Sequence, residues 1–374
     1  MDFQLSAEQA MLCESVERFV QDHYDFSARR ALADQPRGYS RDHWRVFAEM
    51  GWLALPIAER NGGLGGSVVD SALLSRHFGK GLVLEPFLSS VLLGARLIEE
   101  IGTEDQKAWL LSDSVSGDAV IAVAHGEPGS RHDLRQVSLK AAREGDGYRL
   151  TGRKTVVTHA ASADQILVVA RTGGEAGDLD GLSVFLVSPD AQGLRRQDFH
   201  LADGQPASDL WLDDVAGALL GDAEGAAAPT LDRVFDEVLC AVCGDAVGAM
   251  EAVLTLTRDY VGTRRQFGRS IVENQVVQHR LADMFGALEE ASALTEMTAM
   301  RLAEGEEGAA RTVAGTAARV FALMRFVGEQ GIQLHGGIGM TDEYPVGHYY
   351  KRLLTIEALF GSAAHHLQRF ATAL

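Results

Sequence analysis

One arginine-rich segment of the chain has residue types that could bind a phosphorylated ligand. Residues 260–271 read YVGTRRQFGRSI, and the paired guanidiniums of Arg264 and Arg265 precede a glycine turn. A guanidinium binds phosphate oxygens through two parallel hydrogen bonds, which favours arginine at such sites. The alternative is an ordinary helix end, where cationic side chains compensate the helix dipole and glycine ends the helix.

A glycine-rich segment further along the chain could also contact a ligand. Residues 333–340 read QLHGGIGM, with Gly336, Gly337 and Gly339 close together. Because glycine has no side chain, its backbone can approach a planar or phosphorylated ligand closely. A bare glycine turn does not identify that ligand. Residues 341–346 (TDEYPV) form a polar turn that is expected to begin the last helix.

The cysteines do not suggest a metal site. Cys240 and Cys243 form a C-x-x-C motif inside the apolar segment 238–243, and Cys13 is the third cysteine. A zinc site needs further ligands, and the sequence has no second Cys or His pair at suitable spacing. The pair is therefore predicted to be two small buried helix residues.

Composition narrows the choice of partners. The chain has 374 residues and a formal net charge of −18. Such an acidic surface repels nucleic-acid backbones and anionic lipid headgroups, so neither nucleic acid nor a membrane is an expected partner. The sequence shows no signal-peptide pattern and no apolar run of about 18 residues, which favours a cytoplasmic protein.

Hydrophobic periodicity divides the chain into three zones. Residues 1–118 carry mainly helical patterns, beginning with a capping box of Ser6 and Gln9. Residues 119–225 carry strand patterns, and residues 226–374 return to the helical period. The predicted fold class is α+β, with an N-terminal helical domain, a middle antiparallel β domain and a C-terminal four-helix-bundle domain.

The middle zone is predicted to be an antiparallel barrel or sandwich. Residues 137–141 alternate apolar and polar, a GDG turn follows at 145–147, and residues 166–169 and 182–187 resemble buried strands. No helix-length pattern separates these strands, which disfavours a parallel sheet. In the last zone, residues 277–291 carry apolar side chains at a 4-3-4-3 spacing suited to bundle packing.

Together, and in this order, these segments resemble the acyl-CoA dehydrogenase family. The resemblance covers the whole chain, since two helical domains flanking a β domain is that family's architecture. The matching positions are Arg264-x-Gln266-Phe267-Gly268 for the R-x-x-F-G segment, Gln275 and residues 281–284 for the following helix, and Gln333, Gly336, Gly337, Gly339 and residues 343–346 for the C-terminal signature.

The resemblance implies that the chain uses FAD. Arg264 would bind the FAD pyrophosphate. In this family such groups reach a flavin that is bound mainly by the neighbouring subunit, so a monomer is expected to bind FAD poorly. The other residues carried over are Gln266 and Phe267 beside the pyrophosphate, Gln275, Gln333, Gly336 and Gly337 along the adenosine-diphosphate channel, and Thr158 as a flavin contact of the β domain.

The last segments look most like the small subunits of pimeloyl-CoA-type dehydrogenases. Residues 336–343 (GGIGMTDE) and 347–352 (GHYYKR) carry this finer resemblance. It implies a homologous acyl-CoA dehydrogenase subunit as partner in a heterotetramer, with a homo-oligomer as the alternative. The implied substrate is an acyl-CoA of fatty acid or sterol side-chain β-oxidation, and the implied electron acceptor is electron-transfer flavoprotein.

The family's catalytic carboxylate is missing from its usual place. The family reaction removes an α-proton while hydride passes to the flavin, so a carboxylate must face this weakly acidic proton in a dry site. Counting from Tyr344, the usual Glu before Gly-Thr falls on Phe360, which precedes Gly361. Glu237, near the base position of some relatives, is the predicted replacement. Glu357 and a base supplied by the partner are the alternatives.

The middle domain also departs from the family pattern. Gly126 stands where the family has a flavin-facing hydroxyl, and Val156 stands where it has a tryptophan. Both changes weaken the expectation of a complete flavin site in this subunit. The alternatives are a flavin monooxygenase on the same fold and a non-catalytic subunit that completes a partner's FAD site. A DNA-associated relative is disfavoured by the charge of −18.

Overall fold

The chain folds into two compact units. The structure, a computed structural model, describes residues 4–130, 132–145 and 147–372. The sequence predicts three domains with limits near 118 and 225. The two units divide the chain at other residues, so the three domains stay a prediction. Within the described residues, the bundle unit comprises Met1–Ala31, Val68–Val83 and Leu239–Leu374, and the sheet unit comprises Leu32–Ser67 and Leu84–Val238.

Helices form both ends of the chain and strands form its middle, which confirms the predicted α+β fold. The turn at 341–346 was expected to begin the last helix. It begins α10 (Pro345–Phe360), and α11 (Ala363–Thr372) follows. The helices are α1 (Ala7–His23), α2 (Phe26–Ala33), α3 (Arg41–Glu49), α4 (Val68–Gly81), α5 (Arg96–Ile101), α6 (Glu104–Val115), α7 (Ala228–Thr263), α8 (Gln275–Ala303), α9 (Ala309–His335), α10 (Pro345–Phe360) and α11 (Ala363–Thr372). The strands are β1 (Ile121–Ala124), β2 (Lys140–Glu144), β3 (Gly147–Thr158), β4 (Gln165–Arg171), β5 (Leu182–Val187), β6 (Leu194–His200), β7 (Pro206–Leu219), β8 (Arg265–Gln266) and β9 (Arg269–Ser270).

Local sequence accounts for the beginning of α1. The Ser6 hydroxyl accepts a hydrogen bond from the Gln9 backbone N–H at 3.1 Å, and the Gln9 side chain accepts one from the Ser6 N–H at 3.1 Å. The predicted capping box is thus confirmed. Val16 and Phe19, about one turn apart, are buried on the inner face of the helix.

Glycines let α4 and α7 touch in the bundle unit. A Cβ at Gly79 would lie 1.9 Å from the Asp245 carbonyl oxygen, and a Cβ at Gly248 would lie 1.8 Å from that of Arg76. No side chain fits at either position, so the two backbones are in direct contact. This contact places α4 in the same unit as the C-terminal helices, although the sequence assigned it to the N-terminal helical domain.

Among the described helices, α7 alone is long and apolar enough to cross a membrane by length and composition. The sequence expectation concerned an uninterrupted apolar run, whereas Asp245 and Glu251 interrupt this helix. Its most apolar 18-residue window is 83% buried inside the protein, which is typical of a core helix. Burial raises the pKa of Cys240 to about 12, and that of Cys243 well above its usual value. The cysteine pair is thus buried as predicted, and no group of three or more metal-binding side chains occurs in the described residues.

The strands of the sheet unit form one seven-stranded sheet that closes on itself. The order is β1-β4-β2-β3-β7-β5, with β6 on β7 and an additional pairing of β4 with β5. Most neighbours are antiparallel, as predicted. The exceptions are the parallel pairing of β1 with β4 and a single parallel contact between β2 and β4.

The sheet encloses an apolar core, and β4 and β5 cover the strands predicted at 166–169 and 182–187. The side chains of residues 137–141 alternate between buried and exposed as predicted, although the strand β2 begins only at Lys140. Glu144 pairs with Gly147 across the predicted hairpin, while Asp146 lies outside the described residues. The fully buried core side chains include Leu139, Leu150, Ile166, Val168, Phe185 and Leu210.

Candidate functional site

The end of α7 carries Arg264 next to a short hairpin. The Arg264 N–H donates to the Tyr260 carbonyl at 2.8 Å, which extends the helical hydrogen bonding beyond Thr263. The chain then reverses between β8 and β9, with Phe267 at φ +52° and Gly268 at φ +83°. Phenylalanine is uncommon in this left-handed region, and here its side chain is fully exposed. An apolar side chain of the predicted site therefore projects into solvent.

The guanidiniums of Arg264 and Arg265 are exposed, and neither has an ion-pair or hydrogen-bond partner among the described residues. By contrast Arg258, on the same helix, lies 3.0 Å from the carboxylate of Asp259. In a chain with a net charge of −18, an arginine that is not neutralised by a neighbour is available to an anionic ligand. Arg264 therefore fits the pyrophosphate-binding role predicted for it.

The glycine turn follows α9 directly. Gly336 caps the helix with φ +64°, a conformation that favours glycine, and Gly336–Met340 forms one 3-10 turn. Gly337 is not in the left-handed region, and nothing in the described chain lies within 4 Å of where its Cβ would be. Packing within the chain does not require glycine there, whereas a ligand lying against the backbone would. The turn thus fits the predicted adenosine-diphosphate channel.

Aromatic rings bring these two segments together. The His335 ring stacks on the Tyr260 ring, with centroids 4.5 Å apart and an interplanar angle of 25°. The ring of Tyr344, the N-cap of α10, lies 5.0 Å from that of His335. Tyr260 precedes Arg264 by about one turn, and His335 directly precedes Gly336. The arginine and the glycine turn therefore lie at adjoining helix ends.

The remaining predicted cofactor residues of the bundle unit are exposed polar side chains. Gln266 belongs to β8, Gln275 is the first residue of α8, and Gln333 lies in the last turn of α9. Their amide groups are accessible to a ligand or a partner. The bundle unit thus holds seven of the predicted residues: Arg264, Gln266, Phe267, Gln275, Gln333, Gly336 and Gly337.

Sequence reasoning missed Asp342, which anchors the segment after the glycine turn. Its carboxylate lies 3.1 Å from Arg30, 3.3 Å from Lys351 and 3.3 Å from the Nε2 atom of His348. The hydrogen bond from Lys351 lowers the pKa of Asp342. Lys351, in the second turn of α10, lies nine residues from Asp342 in the sequence. Arg30 is more than 300 residues away, so no local pattern indicates its contact with Asp342.

In the sheet unit, Thr158 follows a bulge in β3. The pairing with β7 shifts between Lys154 and Val157, and Val156 has φ +53°. The Val156 N–H donates to Oδ1 of Asp209 at 3.0 Å, which holds the bulge. A β-branched residue in the left-handed region is strained, and such strain is concentrated at functional sites. Val156 is also the position at which the resemblance implies a tryptophan.

Gly126, the other departure from the family pattern, lies beside the same strand. Its carbonyl accepts a hydrogen bond from the Thr155 N–H at 2.9 Å. A Cβ at Gly126 would lie 3.3 Å from the Thr155 carbonyl oxygen, so a larger residue is tightly constrained there. The structure therefore brings both altered positions to the segment that carries Thr158.

Glu237 lies on the part of α7 that belongs to the sheet unit, and two guanidiniums hold it. Its oxygens lie 3.2 to 3.4 Å from Nε and Nη2 of Arg96, and 3.5 Å from Nη1 of Arg233. Arg96 and Arg233 each bind Glu100 as well. The Glu237 side chain is 19% exposed. The lone pairs of its carboxylate oxygens are directed at arginines, so Glu237 belongs to an ion-pair network that stabilises the fold.

The alternative carboxylate, Glu357, is also engaged. It lies 3.2 Å from Nη1 of Arg325. Phe360 is the last residue of α10, and Gly361 follows with φ +103°, a value that requires glycine. The Ser362 hydroxyl then accepts a hydrogen bond from the His365 N–H at 3.2 Å. By the count from Tyr344, Phe360 occupies the position at which the resemblance implies the catalytic glutamate, and Gly361 and Ser362 follow it.

Comparison with known proteins covers the chain almost from end to end. The profile described as "Acyl-CoA dehydrogenase, N-terminal domain" matches residues 6–118. The profiles of the middle and C-terminal domains of the same family match residues 122–215 and 234–374.

Individual relatives agree with these profiles. Long-chain specific acyl-CoA dehydrogenase from the mitochondria of Sus scrofa is 29% identical over 360 residues, covering 92% of this chain and 81% of the relative. Probable acyl-CoA dehydrogenase YngJ from Bacillus subtilis (strain 168) is 29% identical over 383 residues, covering 100% and 99%. The crystal structure of the ChsE4–ChsE5 complex from Mycobacterium tuberculosis contains a chain that matches with a TM-score of 0.89 and 27% identity, covering 100% of this chain and 98% of that one.

Proposed function

The chain belongs to the acyl-CoA dehydrogenase family, and from this premise we propose that it acts with a homologous subunit that supplies the catalytic carboxylate. It is an FAD-dependent oxidoreductase of the class that acts on the CH–CH bond of acyl-CoA thioesters. FAD, when bound, supplies the acceptor for the hydride. Two features are proposed: the residues of this chain that hold the cofactor, and the chain that removes the proton.

The state of the three candidate base positions carries the proposal. Phe360 cannot accept a proton, Glu237 is held by two arginines, and Glu357 is held by one. A general base must be free to face the substrate within hydrogen-bond distance. A carboxylate borne by the partner satisfies this requirement without breaking either set of ion pairs.

The bundle unit supports a role in cofactor binding. Arg264, exposed and not neutralised, would hold the FAD pyrophosphate, and the open backbone at Gly337 would lie along the adenosine diphosphate. These side chains would orient the cofactor and hold its negative charge in an otherwise acidic protein. None of them needs to move a proton.

Exposed apolar side chains on the same segments support a subunit contact. They occur on the hairpin, on the first half of α8 and on the glycine turn. Large apolar side chains that reach solvent next to a polar site are typical of protein–protein surfaces. These residues are Phe267, Val276, Phe285, Ile338 and Met340.

The finer identity of the complex is part of the same proposal. The ChsE4–ChsE5 complex, whose chain resembles this one throughout, is an assembly of two different chains. We extend this arrangement to the present chain as a heterotetramer of the pimeloyl-CoA type, with a bulky acyl-CoA as substrate and electron-transfer flavoprotein as acceptor. The cytoplasmic location and the role of Thr158 stay predictions of the sequence.

The test is flavin content and reduction in the presence and absence of a partner. The chain is expressed alone and together with homologous acyl-CoA dehydrogenase chains of the same genome, and FAD per chain is measured by absorbance. We expect low FAD in the chain alone, and stoichiometric FAD that a panel of acyl-CoA esters bleaches anaerobically in the complex. A monodisperse monomer that retains FAD and is bleached would overturn the proposal.

Arg264→Ala tests the cofactor site directly. We expect it to lower FAD affinity by more than about tenfold, since a charge-assisted bidentate contact contributes roughly 1.5 to 3 kcal/mol. Arg258→Ala, which removes the same charge from the same helix, is the control and should retain FAD. Normal FAD stoichiometry in Arg264→Ala, with circular dichroism unchanged, would remove Arg264 from the site.

A flavin monooxygenase on the same fold is the second candidate, because it needs no α-proton base and tolerates Phe360. Bleaching by acyl-CoA without oxygen separates the two activities. A complex that binds FAD and is not bleached by any ester, but consumes oxygen with a reduced nicotinamide, would favour the monooxygenase.

A further inference from the structure

The last residue of α9, His335, is a buried ring held in one orientation. Only 3% of the residue is exposed. Its Nδ1 atom lies 2.8 Å from the Gly331 carbonyl oxygen one turn earlier. Because a carbonyl only accepts, this contact is a hydrogen bond when Nδ1 carries the proton, and the Leu256 backbone also interacts with the ring. Burial lowers the pKa of His335, so the neutral form prevails near neutral pH.

The His335 ring lies where three segments meet: the end of α7, the start of α10 and the glycine turn. It stacks on Tyr260 with centroids 4.5 Å apart, and Tyr344 lies 5.0 Å from it and 6.1 Å from Tyr260. Tyr260 belongs to the helix end that carries Arg264. Tyr344 begins α10, and His335 adjoins the glycine turn. The three rings therefore form one aromatic cluster between the end of α7 and the glycine turn.

Small residues make this cluster possible. A Cβ at Gly331 would lie 2.5 Å from Val253, so only glycine lets α9 approach α7 this closely. A Cβ at Gly339 would lie 3.0 Å from the Cβ of His335, so the glycine turn passes close to the backbone end of this side chain. The ring itself packs on α7 through Tyr260 and on the start of α10 through Tyr344.

We propose that His335 is a positioning residue for the cofactor: its planar ring, stacked on Tyr260, sets the separation between Arg264 and the glycine turn. This inference depends on the proposed FAD site. Stacked aromatic rings hold a defined distance and angle, whereas an aliphatic side chain of similar volume permits the two helix ends to shift. A flat ring is the property required, and the imidazole nitrogens are not.

The test compares His335→Phe with His335→Leu in the assembled protein. Dissociation constants of FAD are measured by flavin fluorescence after removal and return of the cofactor. Thermal midpoints are measured on the cofactor-free protein. We expect the FAD dissociation constant of His335→Phe to stay within about twofold of wild type. We expect His335→Leu to bind FAD about three- to tenfold more weakly, because it loses the contribution of one aromatic pair.

His77→Leu is the matched control for a general loss of packing. His77 lies on α4 in the same unit, and its buried Nδ1 atom has no hydrogen-bond partner among the described residues. We expect His77→Leu to leave FAD affinity unchanged, so that a loss of affinity in this variant would indicate a general loss of packing in the unit.

Tyr260→Leu and Tyr260→Phe repeat the comparison from the other side of the stack, in case His335→Leu does not fold. Wild-type FAD affinity in either leucine variant, or equal weakening in the matching phenylalanine variant, would overturn the inference. If Arg264→Ala also leaves FAD affinity unchanged, the proposed site itself fails. If only the ring variants are silent, the site stands and the positioning role does not.

Discussion

Asp245 and Arg352 form a buried, two-pronged ion pair in the bundle unit. The Asp245 oxygens lie 3.1 Å from Nε and 2.7 Å from Nη2 of Arg352. The two side chains are 2% and 5% exposed. The pair joins α7 to α10, the two helices whose ends carry Arg264 and Phe360. It therefore fixes α10 to α7 within the bundle unit.

Asp245→Asn is expected to destabilise the protein strongly. The guanidinium of Arg352 would stay buried without its countercharge, which typically costs about 3 to 5 kcal/mol. The measurement is the free energy of unfolding in urea at a fixed FAD concentration. Asp259→Asn, which breaks an exposed pair with Arg258, is the control and should cost less than about 1 kcal/mol. Equal losses of unfolding free energy in both variants would show that the buried pair contributes no more to stability than the exposed one.

Glu237→Gln is expected to leave dehydrogenation by the complex within about threefold of wild type. Loss of a general base typically costs about two to four orders of magnitude, which separates the two outcomes clearly. Because Arg96 and Arg233 lose an ionic partner, the thermal midpoint should fall. The measurement is anaerobic flavin bleaching by acyl-CoA. A rate lowered about a hundredfold would instead identify Glu237 as the base.

His125 is expected to make the sheet unit sensitive to acid. Burial, with the charge of Lys154 second, lowers the pKa of His125 to about 4. Between its ordinary pKa near 6.5 and about 4, the unfolded chain binds a proton that the folded chain does not. Stability therefore falls as the pH falls through this window. For a fully buried ring, the free energy of unfolding would fall by about 3 kcal/mol over this window. Partial exposure of the ring reduces this loss to about 1 to 2 kcal/mol.

His125→Phe isolates this contribution, because a phenyl ring can keep the edge contact with Phe235, whose centroid is 4.6 Å away. Urea unfolding at about pH 7 and about pH 4.5 should show a smaller loss of stability in the variant than in wild type. Parallel pH profiles for the two proteins would contradict the assignment.

Val156→Asn is expected to stabilise the protein by about 1 kcal/mol, because asparagine tolerates the left-handed backbone that strains valine. Val156→Thr, also β-branched, is the control and should show no gain. Thermal unfolding of the cofactor-free protein measures both. If the two variants behave alike, the φ of +53° at this position carries no strain.

The sequence by itself determined the elements and the chemistry that depend on neighbouring residues. The Ser6 and Gln9 capping box, the buried strand Leu182–Val187 and the buried Cys240 and Cys243 follow from composition and period over a few residues. The arginine and glycine motifs also lie within short segments. Their order along the chain was therefore sufficient to identify the family and its cofactor.

Only the tertiary structure decided which residues are already engaged and which elements share a unit. The contact of Glu237 with Arg96, which lies about 140 residues earlier, cannot be read from the residues around Glu237. The contact of Gly79 with Asp245 joins α4 to α7 in the bundle unit, which no residue near α4 in the sequence indicates. Such contacts join segments far apart in the chain, and no local period encodes them. Hydrophobic periodicity specifies which face of a helix is buried, while packing of complementary surfaces selects the partner that covers it.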